Sequence, residues 1–142
     1  MASTLSTCYC SISAAIGALY GTLHGGANER VLKMIGTIGE LDQVDSWVEK
    51  AIDQHQKIMG MGHRVYKAKD PRAFIIEKFL SKLSQKKNSP GNFKLLKALE
   101  AKTKQIFESR GKQIYPNVDF FSGALYDLMG IPSDLFTPVF AM

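Results

Sequence analysis

The stretch Asp70-Pro71-Arg72-Ala73-Phe74-Ile75-Ile76-Glu77-Lys78-Phe79-Leu80-Ser81-Lys82-Leu83 decides the fold. An aspartate before a proline is a strong helix start: the carboxylate serves as N-cap and the proline ring occupies the first turn, where its missing N–H is no loss. Phe74, Ile75, Phe79, Leu80 and Leu83 then recur at helical spacing and make up the expected inner face. The same recurrence at three and four runs outward in both directions, and no stretch shows the β-branched alternation of a strand. The expectation is an all-α domain of about six helices.

Towards the N-terminus, Ser3 or Thr4 would cap a first helix with apolar positions Leu5, Cys8, Ile12, Ala15, Ile16 and Leu19, ended by Gly21. It carries no charge, so burial is expected on nearly every side. A second helix spans about Gly26 to Ile38, with Val31, Leu32, Ile35 and Ile38 inward and Gly39 as a stop. A third starts at Asp42 or Asp45 and aligns Val44, Trp47, Val48, Ala51, Ile52 and His55. The run Ile58 to His63 is too rich in glycine to be helical and reads as a loop. Towards the C-terminus, residues 88–92 break the chain and a fifth helix uses Phe93, Leu96, Leu99, Ile106 and Phe107 up to Gly111. Pro116-Asn117 opens a sixth, packing Phe121, Ala124, Leu125 and Leu128 and stopping at Gly130. Ser133 could cap one more helix, Leu135 to Met142, left unfinished. That end and the apolar first helix suggest a piece of something larger.

With 142 residues the chain can hold one domain with a real core, and 45% hydrophobic against 22% charged residues excludes disorder, collagen and coiled coil. The most apolar run, Ser11 to Tyr20, falls short of the roughly 20 residues of a membrane span. The first basic residue is Arg30, so a charged secretory leader is not expected and a cytoplasmic location is. Cys8 and Cys10 fit neither a redox pair nor a zinc knuckle and read as small buried residues. Between Glu77 and Lys112 stand ten basic residues and three acidic ones, the source of the net charge of +5. Such a cluster suits nucleic acid, a phosphorylated cofactor or a solvated helix face. No nucleic-acid motif accompanies it, and nucleic-acid binding is not expected.

Three segments place titratable groups beside glycines or helix starts. In residues 21–28, His24 precedes a helix N-terminus, whose dipole keeps an imidazole neutral and able to donate a hydrogen bond to a carbonyl. A lone histidine there can equally serve as a helix-cap partner. In residues 60–72, His63 offers a proton near neutral pH and Arg72, in the first turn of a helix, could grip a carboxylate with two parallel bonds. The same segment could be a basic loop without a ligand. In residues 115–123, Asp119 falls in a helix's first turn among Val118, Phe120 and Phe121. It is either a capping residue or a carboxylate made more basic by partial desolvation. His24, His55 and His63 are too scattered, and lack partners at ligand spacing, for a metal site to be expected.

Together, Leu23-His24-Gly25-Gly26-Ala27-Asn28, Gly60-Met61-Gly62-His63-Arg64-Val65-Tyr66-Lys67 with Asp70-Pro71-Arg72-Ala73, and Tyr115-Pro116-Asn117-Val118-Asp119-Phe120 closely resemble the citrate synthase family. The likeness extends to residues 131–138. It covers that enzyme's small domain at residues 23–132, with a flanking large-domain helix at 1–22 and the start of a returning one at 133–142. Thr22 departs from the proline usual there. The resemblance implies condensation of acetyl-CoA with oxaloacetate to citrate and CoA, as in the tricarboxylic acid cycle, with His24, His63 and Asp119 catalytic. It implies that His63 and Arg72 bind oxaloacetate. Ile58, Met59, Gly60, Met61, Gly62, Lys67 and Asn117 would lie at the CoA site. Acetyl-CoA is a substrate, and no metal or other cofactor is implied. The wording His63-Arg64-Val65-Tyr66-Lys67 also occurs in 2-methylcitrate synthases, which use propionyl-CoA, and a CoA-binding helical domain without chemistry is a further alternative. The family's additional oxaloacetate-binding histidine and arginines fall outside this sequence, which implies weak or no turnover alone. The first helix corresponds to a region near the dimer interface, so self-association into a homodimer is expected.

Overall fold

The computed structural model describes residues 2–20 and 26–142. Among them every regular element is helical except one isolated antiparallel bridge between Met61 and Pro116. Seven α-helices follow one another: α1 (Cys8–Leu19), α2 (Ala27–Ile38), α3 (Val44–Asp53), α4 (Pro71–Lys86), α5 (Gly91–Ser109), α6 (Val118–Met129) and α7 (Phe136–Ala141).

Helix α6 is the axis of the fold. Residues Phe120 to Ala124 are all buried, and α2, α4 and α5 pack around it while α3 lies on α5. Its crossing with α2 is close because Gly123 has no side chain: a Cβ there would stand 2.3 Å from the carbonyl oxygen of Asn28. Around it Val31, Ile35, Val48, Leu80, Leu96, Leu99, Phe120 and Phe121 form one core. Such burial of apolar area is the main favourable term in folding.

Several expectations are corrected. Helix α1 begins at Cys8 with Thr7 as N-cap, Ser3 and Thr4 belonging to a separate 3-10 turn. None of its residues is buried, and Cys8 and Cys10 are exposed, because the helix touches α7 and stands off the core. Gly21, its expected stop, lies outside the described residues. Helix α3 ends at Asp53, and His55 lies beyond it, exposed and left-handed at φ 55°. In α4 the inner face is Ala73, Ile76, Leu80, Leu83 and Ser84, whereas Phe74, Ile75 and Phe79 are 57–60% exposed. Small residues face inward because α4 and α6 pack side by side, so bulk and burial part company along this helix.

Two glycine substitutions separate close packing from intrinsic preference. Gly123→Ala should lose about 1–3 kcal/mol or more through overpacking against Asn28. Gly36→Ala, whose Cβ meets nothing within 4 Å, should gain about 0.5–1 kcal/mol. Urea denaturation of both variants checks the pair, and equal effects would contradict the packing.

Candidate active site

Two segments 55 residues apart in sequence are fastened together by Asn117. Its backbone N–H donates to the Gly60 carbonyl at 2.9 Å, its Nδ2 donates to the Gly62 carbonyl at 2.9 Å, and Gly62 N–H donates to the Tyr115 carbonyl at 2.8 Å. Asn117 Oδ1 accepts from Asp119 N–H at 3.0 Å and thereby caps α6. Gly60 is held at φ 76°, and a Cβ on it would fall 2.7 Å from Phe120 Cα, so only glycine lets the loop lie this close to α6. The loop carrying His63 is thus seated beside the helix start carrying Asp119.

His63 is half-buried, and its Nδ1 accepts the backbone N–H groups of Val65 at 3.0 Å and Tyr66 at 3.1 Å. A nitrogen that accepts bears no proton, so the neutral ring carries its hydrogen on Nε2, as a donor. The Tyr66 ring lies against the imidazole at 4.5 Å between centroids. Asp70 caps α4 as expected, accepting from Arg72 N–H at 2.9 Å. Its carboxylate also takes Arg72 Nε at 3.1 Å and Nη2 at 2.8 Å. The hydrogen bond to Arg72 holds the Asp70 carboxyl below the usual carboxylate range although burial pushes it upward. Asp70 in turn raises the Arg72 guanidinium, with smaller contributions from Tyr66 and Asp119.

Asp119 also lines a cavity of about 60 Å³ with Gly26, Ala27, Asn28 and Thr137. His24 lies outside the described residues. Elsewhere, two adjoining hollows share Ile114 as a wall. The hollow of about 430 Å³ is lined by Gly62, His63, Tyr66, Lys67 and Tyr115. The other, of about 360 Å³, is lined by Ile58, Met61, Lys57, Arg110 and Lys112. Together they form a trough lined by Lys67 in the one hollow and by Lys57, Arg110 and Lys112 in the other. Met59 and Gly60 help seat the loop and line neither hollow. Lys57, Arg110 and Lys112 were not singled out in the sequence, although Lys112 stands four residues before Pro116 and shares its loop. The pairing of Asp70 with Arg72 was equally missed, its signal being the i, i+2 spacing across a proline.

The chain is thus an all-α domain in which a loop with a histidine is seated on a helix start with an aspartate. The chain belongs to the citrate synthase family, since the family description "Citrate synthase, C-terminal domain" matches residues 1–142. It is 46% identical over 141 residues to a citrate synthase of Synechocystis, covering 99% of this chain and 35% of that protein. To that of Deinococcus radiodurans it is 44% identical, covering 99% and 37%. Among solved structures, citrate synthase from Pyrobaculum aerophilum matches with TM-score 0.84 and 46% identity over 99% of this chain and 35% of that one. The Thermoplasma acidophilum enzyme, solved with carboxymethyl coenzyme A and oxaloacetate, matches with TM-score 0.82 and 41% identity over 98% and 37%. The chain spans about a third of the length of these relatives.

The depressed Asp70 carboxyl fixes the sign of a pH effect. Its contribution to stability is complete above the ordinary carboxylate pKa of about 3.9 and is lost as pH falls through the folded value. The stability advantage of wild type over Asp70→Asn, from urea midpoints, should be full at pH 6 and shrink below about pH 4. A gap independent of pH would remove this account of the pair.

Proposed function

We propose that the chain supplies the acid–base groups of a citrate synthase, condensing acetyl-CoA with oxaloacetate to citrate and free CoA. The observation that carries this reading is the fastening of the His63 loop to the start of α6 by Asn117. It seats the loop that carries His63 beside the helix start that carries Asp119, and the relative bound to oxaloacetate and a CoA analogue supports the substrates.

Each group has a task suited to its geometry. Arg72 binds an oxaloacetate carboxylate and the Nε2–H of His63 donates to the ketone oxygen. Asp119 removes a proton from the acetyl methyl group while His24 donates to the thioester oxygen, where charge develops. Gly26, two residues along from His24, lines the same cavity as Asp119, which supports their pairing. The methyl carbon then adds to the ketone, and His63 gives its proton to the new hydroxyl. Water cleaves the thioester, giving citrate and the CoA thiol. Every step is a proton transfer or a carbonyl reaction, so electrons balance without a redox cofactor.

CoA would lie along the trough, its apolar stretch against Ile58, Met61 and Ile114 and its phosphates near Lys67, Lys57, Arg110 or Lys112. Residues 23–132 would constitute the small domain, with 1–22 and 133–142 belonging to the large one, and the exposed Tyr9 and Ile12 of α1 would be covered in a homodimer. Missing contacts to the dicarboxylate, at roughly 1.5–3 kcal/mol each, leave the chain alone a poor catalyst.

Oxaloacetate-dependent release of thiol from acetyl-CoA tests this. The chain alone should run about a thousandfold or more below a full-length relative, and Asp119→Ala and His63→Ala should each abolish the remainder. A rate near the relative's would refute incompleteness, and a rate indifferent to Asp119 would refute its role. Propionyl-CoA in parallel decides the acyl group, acetyl being expected to be faster.

A further inference from the structure

We infer that Asp70 is a positioning residue for the dicarboxylate, gripping one edge of Arg72 from beneath and presenting the other to the substrate. This rests on the reading of Arg72 given above.

The burial of the pair is one-sided: the Asp70 side chain is wholly buried while that of Arg72 is 54% exposed. A guanidinium has five N–H donors, and Asp70 engages it through Nε at 3.1 Å and Nη2 at 2.8 Å. The end edge, formed by Nη1 and the second hydrogen of Nη2, keeps two parallel donors, the pattern that holds a carboxylate with two bonds. Arginine has several rotatable bonds, and fixing it before the ligand arrives removes an ordering penalty from binding.

Capping alone does not account for a buried carboxylate here. Helix α1 is capped by Thr7 and α6 by Asn117, both neutral. What a carboxylate adds at Asp70 is the grip on the guanidinium. The grip is itself anchored, for Asp70 N–H donates to the Pro116 carbonyl at 3.4 Å. The neighbouring Lys69 is bound to Glu77 and Glu100 with its ammonium 5.0 and 4.9 Å from the Phe74 and Phe121 ring centroids. Backbone on both sides of Asp70 is therefore fixed, and Pro71 follows with a restricted φ.

Asp70→Asn tests the inference, because the amide keeps an acceptor for the α4 cap but sets a donor against a guanidinium donor. Asp70→Ser, which caps equally well and has no reach to Nε, is the second variant. In ¹⁵N-labelled 142-residue chain, the Nε–H of Arg72 should exchange with water more slowly than that of exposed Arg64, and the difference should vanish in Asp70→Ser and shrink in Asp70→Asn, whose Oδ1 keeps the cap and Nε while Nη2 loses its acceptor. Oxaloacetate affinity, followed by shift perturbation, should fall about tenfold in both, while acetyl-CoA affinity stays within twofold. A structural role alone would move neither the Nε–H exchange nor the ratio of the two affinities. Wild-type Arg72 exchanging as fast as Arg64 overturns the grip whether or not a ligand binds. A grip lost with oxaloacetate affinity unchanged overturns the positioning role. Arg72→Ala with full oxaloacetate affinity instead overturns the reading of Arg72 on which the inference rests.

Discussion

The structure depends on Asn117 fastening residues 60–62 to residues 115–117. One amide does three things at once: its Nδ2 donates to Gly62, its Oδ1 accepts from Asp119, and its backbone N–H donates to Gly60. Asparagine alone among short side chains carries both a donor and an acceptor of this reach, since aspartate lacks the donor and serine is too short to span both bonds. The join closes a loop of 55 residues, and the closure entropy of such a loop must be met by contacts made inside it. Inside it α4 and α5 pack on one another, and both pack on α6 just beyond it. The site is thus held in register by the core, and Gly60 and Gly123, the two positions where backbone must approach backbone, are part of the same device.

Charge is arranged around this centre with less surplus than the sequence implies. Of the basic run, Lys97 is committed to Glu77 and Glu100 and Lys102 to Glu49, while Lys87 donates to the Leu128 carbonyl. Lys69 and Lys97 share the same two glutamates and so bind the start of α4 to α5. Partly buried networks of this kind fix relative geometry more surely than they add stability. The lysines not used in this way include Lys57, Lys67 and Lys112, and these line the trough.

The fold was legible because helical spacing, proline and glycine agreed in every segment, and α2, α5 and α6 were placed within a residue or two. The faces were less so. On α4 the sequence shows which residues are apolar, but only the approach of α6 decides that Ala73 and Ser84 turn inward and Phe74 and Phe79 outward. On α1 an uncharged composition signals a need for burial and cannot say whether this chain meets it. At the site, His63, Arg72 and Asp119 stood out because each was a titratable group beside a helix start or a glycine. Their supports did not stand out, since the capping of α6 by Asn117 and the grip of Asp70 on Arg72 are relations between groups that look ordinary singly. The citrate synthase resemblance came from the motifs, and residue periodicity alone would have stopped at an all-α domain.

The positions of the exposed apolar side chains bear on what the domain does unaided. Catalysis of enolate chemistry gains from excluding water around the developing charge. Here the polar groups of the site are tied to one another from inside, by Asn117, by Asp70 and by the backbone donors on His63. Their outer faces remain open, with Arg72 54% exposed, and the nearby surface of α4 presents Phe74 and Ile75 to solvent. Contiguous exposed apolar surface of this sort marks a face that another surface covers. The polar groups around His63, Arg72 and Asp119 are therefore oriented by bonds made within this chain, while the apolar side chains beside them on α4 stay more than half exposed among the described residues.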